Sequence, residues 1–129
     1  MTPETVRYSP RVLDLFARLP GADLLSAGVG ALVTGEAITL DRGAWIRFDA
    51  RIEGERIVDC VFRAWGCPHT LAAAAWVTQE LRTRAVPDCA SLDALRLARE
   101  LDAPAEKMGR LLVVEDALTA LLERARAVQ

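Results

Sequence analysis

The sequence predicts an α+β domain, a three-stranded antiparallel sheet with helices packed on one face. Three observations predict it. Residues 45–52 and 57–64 each alternate with period two. Glu53-Gly54-Glu55 joins them as a tight hairpin, glycine supplying the unusual backbone angle. A third strand-like stretch, 29–40, precedes them with no helical segment between, and parallel pairing would need one.

Each element has a local cause. Ser9-Pro10 reads as a helix start, serine as N-cap and proline at the first helical position. Val12, Leu13, Leu15, Phe16 and Leu19 then form an apolar stripe, and Pro20-Gly21 stops the helix. Residues 22–28 are a small-residue connector. The first strand contains Val33, Thr34, Ile38 and Thr39, and Leu40-Asp41-Arg42-Gly43 reads as a turn. In the third strand Val58, Cys60, Phe62 and Ala64 share one face. Pro68 opens a helix with Cys67 at its N-cap, running to about Arg84. Its residues 71–77 are apolar nearly all round, so it is deeply packed. Val86-Pro87-Asp88 ends it. Ser91-Leu92-Asp93 starts a short helix through about Glu100. Pro104 opens the last one, with Met108, Leu111, Leu112, Val114, Leu118, Leu121 and Ala125 facing inward.

With 129 residues and no repeat or linker, residues 1–129 read as one domain. A hydrophobic fraction of 52% excludes a disordered tail. A net charge of −2, with arginines interleaved among acids, argues against nucleic-acid binding. No stretch has the ~20 apolar residues of a membrane span, and MTPETVRYSP lacks a signal-peptide pattern. Three cysteines make an odd set with no C-x-x-C pair, which suits a reducing cytoplasm. There is no Ser/His/Asp constellation, phosphate loop or dinucleotide glycine pattern.

The strongest chemical candidate is Cys67. A thiol at a helix N-terminus meets unpaired backbone N–H groups and the positive end of the helix dipole. Both favour the thiolate, the form that attacks sulfur or binds metal. His69, the only histidine, lies in the same first turn and is a candidate second ligand or orienting group. The simpler reading makes it a surface histidine serving first-turn backbone groups. Cys60 reads as a small buried hydrophobe. Cys89 falls in a loop open to solvent with nothing to activate it. Glu115-Asp116 reads as a helix-face pair meeting solvent or an arginine, with a metal-facing carboxylate as the alternative. Trp45, Trp65 and Trp76 are core or rim residues.

The run Ile57-Val58-Asp59-Cys60-Val61-Phe62-Arg63-Ala64-Trp65-Gly66-Cys67 resembles the strand entering the second cysteine of NifU/IscU-type iron–sulfur cluster assembly scaffolds. Leu71–Gln79 resembles that family's small-residue helix. Tyr8-Ser9 with Val12-Leu13-Asp14 resembles its opening, and Leu112–Leu118 its Leu-Ala-Glu-Asp-Ala-Ile helix. The likeness spans about residues 8–126.

This resemblance implies a scaffold or carrier and not an enzyme. It implies a [2Fe–2S] cluster or iron as cargo, with zinc as a substitute, and a cysteine desulfurase as partner. The family's ligands are three cysteines and an aspartate. The second cysteine matches Cys67. The region of the first, Glu36 to Trp45, has no cysteine, leaving Asp41 or Glu36 to supply a carboxylate. The third lies in a Lys-Ile-His-Cys run that here reads Lys107-Met108-Gly109-Arg110, so Arg110 stands at the cysteine's place and Lys107 is kept. The chaperone-docking Leu-Pro-Pro-Val-Lys is reduced to Ala103-Pro104-Ala105-Glu106-Lys107. The candidate site is therefore Cys67, His69 and Asp41, with Lys107 and Arg110 beside it.

Three functions follow as expectations. One is a divergent assembly protein holding iron or a cluster through Cys67, in a homodimer if two copies pool their ligands. Another is a persulfide carrier in which Arg110 stabilises the sulfur anion. The third is a module that docks or regulates a desulfurase without carrying iron or sulfur. A thioredoxin-like protein is the weakest reading, because Thr70 occupies the place of the second cysteine.

Overall fold

Serine and proline start the first helix as their chemistry requires. Ser9 Oγ accepts the Val12 backbone N–H at 3.2 Å, and Pro10 is the first residue of α1 (Pro10–Arg18). The computed structural model describes residues 8–19, 21, 22, 25, 28–39 and 43–128. Of the predicted turn at 40–43, residues 40–42, Asp41 among them, lie outside the described residues. Three strands follow, β1 (Ala31–Thr39), β2 (Ala44–Glu53) and β3 (Arg56–Trp65), and then α2 (Pro68–Leu81), α3 (Ala94–Leu101) and α4 (Met108–Ala127).

The sheet has the order β1-β2-β3 with both pairs antiparallel, as the alternation predicts. Its inner face carries Val33, Ile46, Phe48, Ala50, Ile52 and Phe62, all buried. Helices α4 and α2 lie on that face, α4 over β1 and β2 and α2 over β3, while α1 and α3 back them as an outer layer. Residues Ala72 to Ala75 are all fully buried, so small side chains let α2 pack closely on several sides. At Gly35 the absent side chain is a packing requirement. A Cβ there would strike the Leu121 backbone nitrogen and lie 2.5 Å from the Ala117 carbonyl oxygen.

Several local expectations are corrected. Val58 does not share the face of Cys60 and Phe62. Arg51 pairs with Asp59 and Ile52 with Ile57, so Val58 is an extra residue in a bulge. The bulge resets the alternation: Ile57 turns inward and Val58 is exposed. Leu13 and Phe16 are exposed because α1 buries only the line through Val12 and Leu15. On α4, Leu112 faces out and Val113 faces in. Helix α2 ends at Leu81, α3 is capped by Asp93, and Pro104 opens a 3-10 turn (Ala105–Lys107) ahead of α4. Cys89 is fully buried, within a 3-10 turn at Val86–Cys89. Glu115 does not simply meet solvent: its Oε1 accepts the Ala94 N–H at 2.7 Å.

Both sheet edges carry capping groups. On β3, Phe62 N–H donates to the Gly21 carbonyl at 2.8 Å, and Cys60 N–H to Asp59 Oδ1 at 2.8 Å. The Cys60 carbonyl accepts from Arg82 Nε at 3.0 Å. On β1, the Thr34 carbonyl accepts from Arg124 Nη1 at 3.1 Å. The outer face holds a polar cluster around Asp49, which accepts from Thr34 Oγ1 at 2.7 Å and Arg47 Nε at 3.1 Å, with Arg63 Nη2 at 3.5 Å.

Candidate functional site

The site is built where β3 runs into α2. Gly66 turns the chain at φ +153, and a Cβ there would come within 3.0 Å of the Thr70 side chain. Cys67 then takes an extended conformation as the N-cap of α2, with Pro68 behind it. Its carbonyl accepts the Leu71 N–H at 3.1 Å, and its side chain makes no capping bond. Unlike Cys60 and Cys89, both fully buried, Cys67 is partly open to solvent.

The three thiols thus separate chemically. Burial pushes Cys60 up to about 12, against the opposing pull of Arg82. Burial likewise pushes Cys89 up to about 11, and Arg84 offsets only part of it. Neither is a thiolate at neutral pH. The predicted role of Cys60 as a small hydrophobe is what the structure shows.

His69 departs from the surface reading. It is fully buried, its ring 5.0 Å from that of Tyr8, tilted by 47°. Among the described residues neither ring nitrogen has a hydrogen-bond partner. Burial lowers its pKa, and the Lys107 and Arg110 cations lower it further. Helices α2 and α4 pack on one another, and the charges of Lys107 and Arg110 reach His69. Lys107 is the residue preceding α4, and Arg110 lies in that helix's first turn.

Of the carboxylate candidates, Glu36 is not brought to this point. Asp41 lies outside the described residues, and Glu36 is on the outer sheet face, accepting from Trp45 Nε1 at 2.7 Å. No three His, Cys, Asp or Glu side chains among the described residues are grouped to hold a metal ion. A [2Fe–2S] cluster takes four protein ligands. Within one chain's described residues the accessible thiol is Cys67 alone, and no two further His, Cys, Asp or Glu side chains are grouped with it, so that set does not fit a cluster.

Thr70 is the residue that sequence reasoning missed. It is fully buried, and its Oγ1 lies 3.7 Å from Cys67 Sγ. The signal was available, since a threonine three residues after an N-cap faces the cap. Beside this turn opens an apolar groove of about 390 Å³, lined by Leu19, Ala22, Trp45, Phe62, Arg63, Ala64 and Leu71.

The model of the NifU-like N-terminal domain family matches residues 7–127. The chain is 24% identical over 118 residues to the mitochondrial iron sulfur cluster assembly protein 1 of Kluyveromyces lactis, covering 90% of this chain and 66% of that protein. It is 30% identical over 70 residues to the iron–sulfur cluster assembly scaffold protein IscU of Rickettsia prowazekii, 54% of this chain and 53% of that one. The IscU scaffold of Haemophilus influenzae is 21% identical over 95% of this chain and 98% of its own. The match thus spans just under two-thirds of the yeast protein and about half of the rickettsial one. Among solved structures, a SUF-system scaffold protein from Fervidobacterium islandicum superposes with a TM-score of 0.73 at 15% identity, covering 89% of this chain and 96% of its own. A NifU-like N-terminal domain from Brucella abortus gives 0.73 at 11% identity, covering 92% and 94%. At these identities the two structures show the fold alone.

Proposed function

Because the chain belongs to the NifU-like N-terminal domain family, we propose that it serves iron–sulfur cluster assembly and does so through Cys67. The observation that carries this reading is the position of Cys67: the one cysteine of three that is partly open to solvent, at the N-cap of α2. A helix N-terminus stabilises a sulfur anion.

The step that one chain supports is sulfur transfer from a cysteine desulfurase. The Cys67 thiolate attacks the outer sulfur of the desulfurase's cysteine persulfide. A new S–S bond forms on Cys67 while the donor's S–S bond breaks, and the donor cysteine leaves as a thiolate. The two thiolates exchange roles, and no external oxidant or reductant enters. The step requires reduced Cys67, so a reducing compartment such as the cytoplasm belongs to the proposal. Iron, or zinc in its place, would be cargo completed by ligands from a second copy.

A second reading is favoured by the lack, among the described residues, of three grouped ligands: a module that docks or regulates a desulfurase without carrying sulfur. One experiment separates the two. The protein is incubated with an active desulfurase and cysteine, and the intact chain is weighed by mass spectrometry. A gain of one sulfur atom, lost in Cys67→Ser, is expected. Its absence would overturn the carrier and leave the docking module. Iron and acid-labile sulfide per chain after anaerobic reconstitution then report whether cargo is held as well.

A further inference from the structure

The first turn of α2 buries more hydrogen-bonding capacity than it satisfies. Helical threonines commonly direct their hydroxyl to the carbonyl one turn back. Thr78 does so in this helix, donating to the Ala74 carbonyl at 2.8 Å. Thr70 does not. Its hydroxyl is fully buried, and among the described residues its hydrogen-bond partner is Cys67 Sγ at 3.7 Å. The next residue back, His69, is also fully buried with neither ring nitrogen partnered. Gly66 leaves room for this arrangement, since a Cβ there would lie 3.1 Å from Thr70 Oγ1.

A neutral thiol is a weak acceptor and repays a buried hydroxyl poorly. A sulfur anion is a strong one, because a hydrogen bond to a charged acceptor is roughly twice as strong as a neutral one. We propose that Thr70 is a positioning residue that donates its hydroxyl hydrogen to the sulfur anion carried on Cys67. It holds the thiolate in one direction before attack, and the persulfide after it. The persulfide half rests on the sulfur-carrier reading above; the thiolate half does not.

The test is the alkylation rate of Cys67 by iodoacetamide in the full chain at one fixed neutral pH. Cys60 and Cys89 are fully buried, so the folded protein reports Cys67. Thr70→Val keeps the branched shape and removes the hydroxyl, and Thr70→Ser keeps the hydroxyl. The expected result is about a threefold slower reaction in Thr70→Val, because the attacking sulfur anion loses the hydrogen bond that stabilises and orients it. Thr70→Ser is expected to return the rate to that of the parent. Equal rates in Thr70→Val and parent would overturn the proposal. So would a Thr70→Ser rate as slow as that of Thr70→Val, which would mark a packing role only. If Thr70→Val does not fold, judged by far-ultraviolet circular dichroism, Thr70→Ala takes its place with the same expected slowing.

No desulfurase enters this assay. A failed Thr70 effect therefore leaves Cys67 as sulfur acceptor intact. A normal Thr70 effect without persulfide loading would instead overturn the carrier reading alone.

Discussion

Glu115 of α4 accepts the backbone N–H of Ala94, the first residue of α3, at 2.7 Å. The N-cap Asp93 Oδ1 accepts from Arg96 N at 2.9 Å in the same turn. Two carboxylates from different elements thus hold the start of an eight-residue helix. Such a helix is too short to be stable alone, so these caps and its packing on α4 sustain it.

Glu115→Ala removes a charged acceptor from a first-turn N–H. A loss of about 1 kcal/mol is expected, read as a lower urea midpoint with unchanged slope. Glu115→Gln keeps an acceptor oxygen and is expected to lose less.

His69 gives the protein a pH-dependent stability. Its pKa is lowered in the fold from the ordinary value of 6.5, by burial first and by Lys107 and Arg110 next. Between the folded value and 6.5 the unfolded chain binds the extra proton, so stability rises with pH there. Its contribution is complete above 6.5 and is lost as pH falls toward the folded value. With only one histidine in the chain, the effect is separable. Thermal melts at about pH 7.5 and about pH 5.5 are expected to show a drop that His69→Leu largely removes. His69→Leu is also expected to raise the midpoint near neutral pH, because an unsatisfied buried polar group costs about 1–3 kcal/mol.

Gly35→Ala places a methyl group against the backbone of α4 at Ala117 and Leu121. No rotamer change relieves a backbone contact, so the helix must shift. A loss of about 3 kcal/mol is expected, at the upper end of ordinary overpacking, measured by chemical denaturation.

An aromatic disulfide reagent is expected to titrate one thiol per chain quickly in native buffer and all three in denaturant. Burial holds Cys60 near 12 and Cys89 near 11, and neither is exposed. Rapid reaction of two thiols in the folded protein would contradict the structure.

The strand and helix signals legible in the sequence were those that act locally. Period-two alternation, the Glu53-Gly54-Glu55 turn, Ser9-Pro10 and Cys67-Pro68 each act within a few residues, and each element they mark is present. What was not legible depends on partners far away in the chain. Which residue of β3 is squeezed out is decided by pairing with β2, so Val58 could not be placed from its own neighbours. Cys89 looks like a loop residue until the turn at Val86–Cys89 packs against α4. Glu115 reads as a surface acid until Ala94 lies beside it. At the candidate site, Gly66-Cys67-Pro68 marked Cys67 as the N-cap of α2 directly. His69 misled because α2 is buried on nearly every side, so a first-turn position that would face water on an ordinary helix faces Tyr8 here.

The caps along the sheet edges have a consequence for assembly. A three-stranded sheet offers two rims on which a foreign strand can hydrogen-bond, and exposed rims template open-ended aggregation. Here guanidinium groups from Arg82 and Arg124 occupy carbonyls on opposite rims, and the backbone at Gly21 takes the Phe62 amide. The bulge at Val58 bends the β3 rim as well, a further obstacle to zippering. Copies of this chain that meet at high concentration are steered away from fibre-like growth. Pairing between copies is expected to come from side-chain contacts instead.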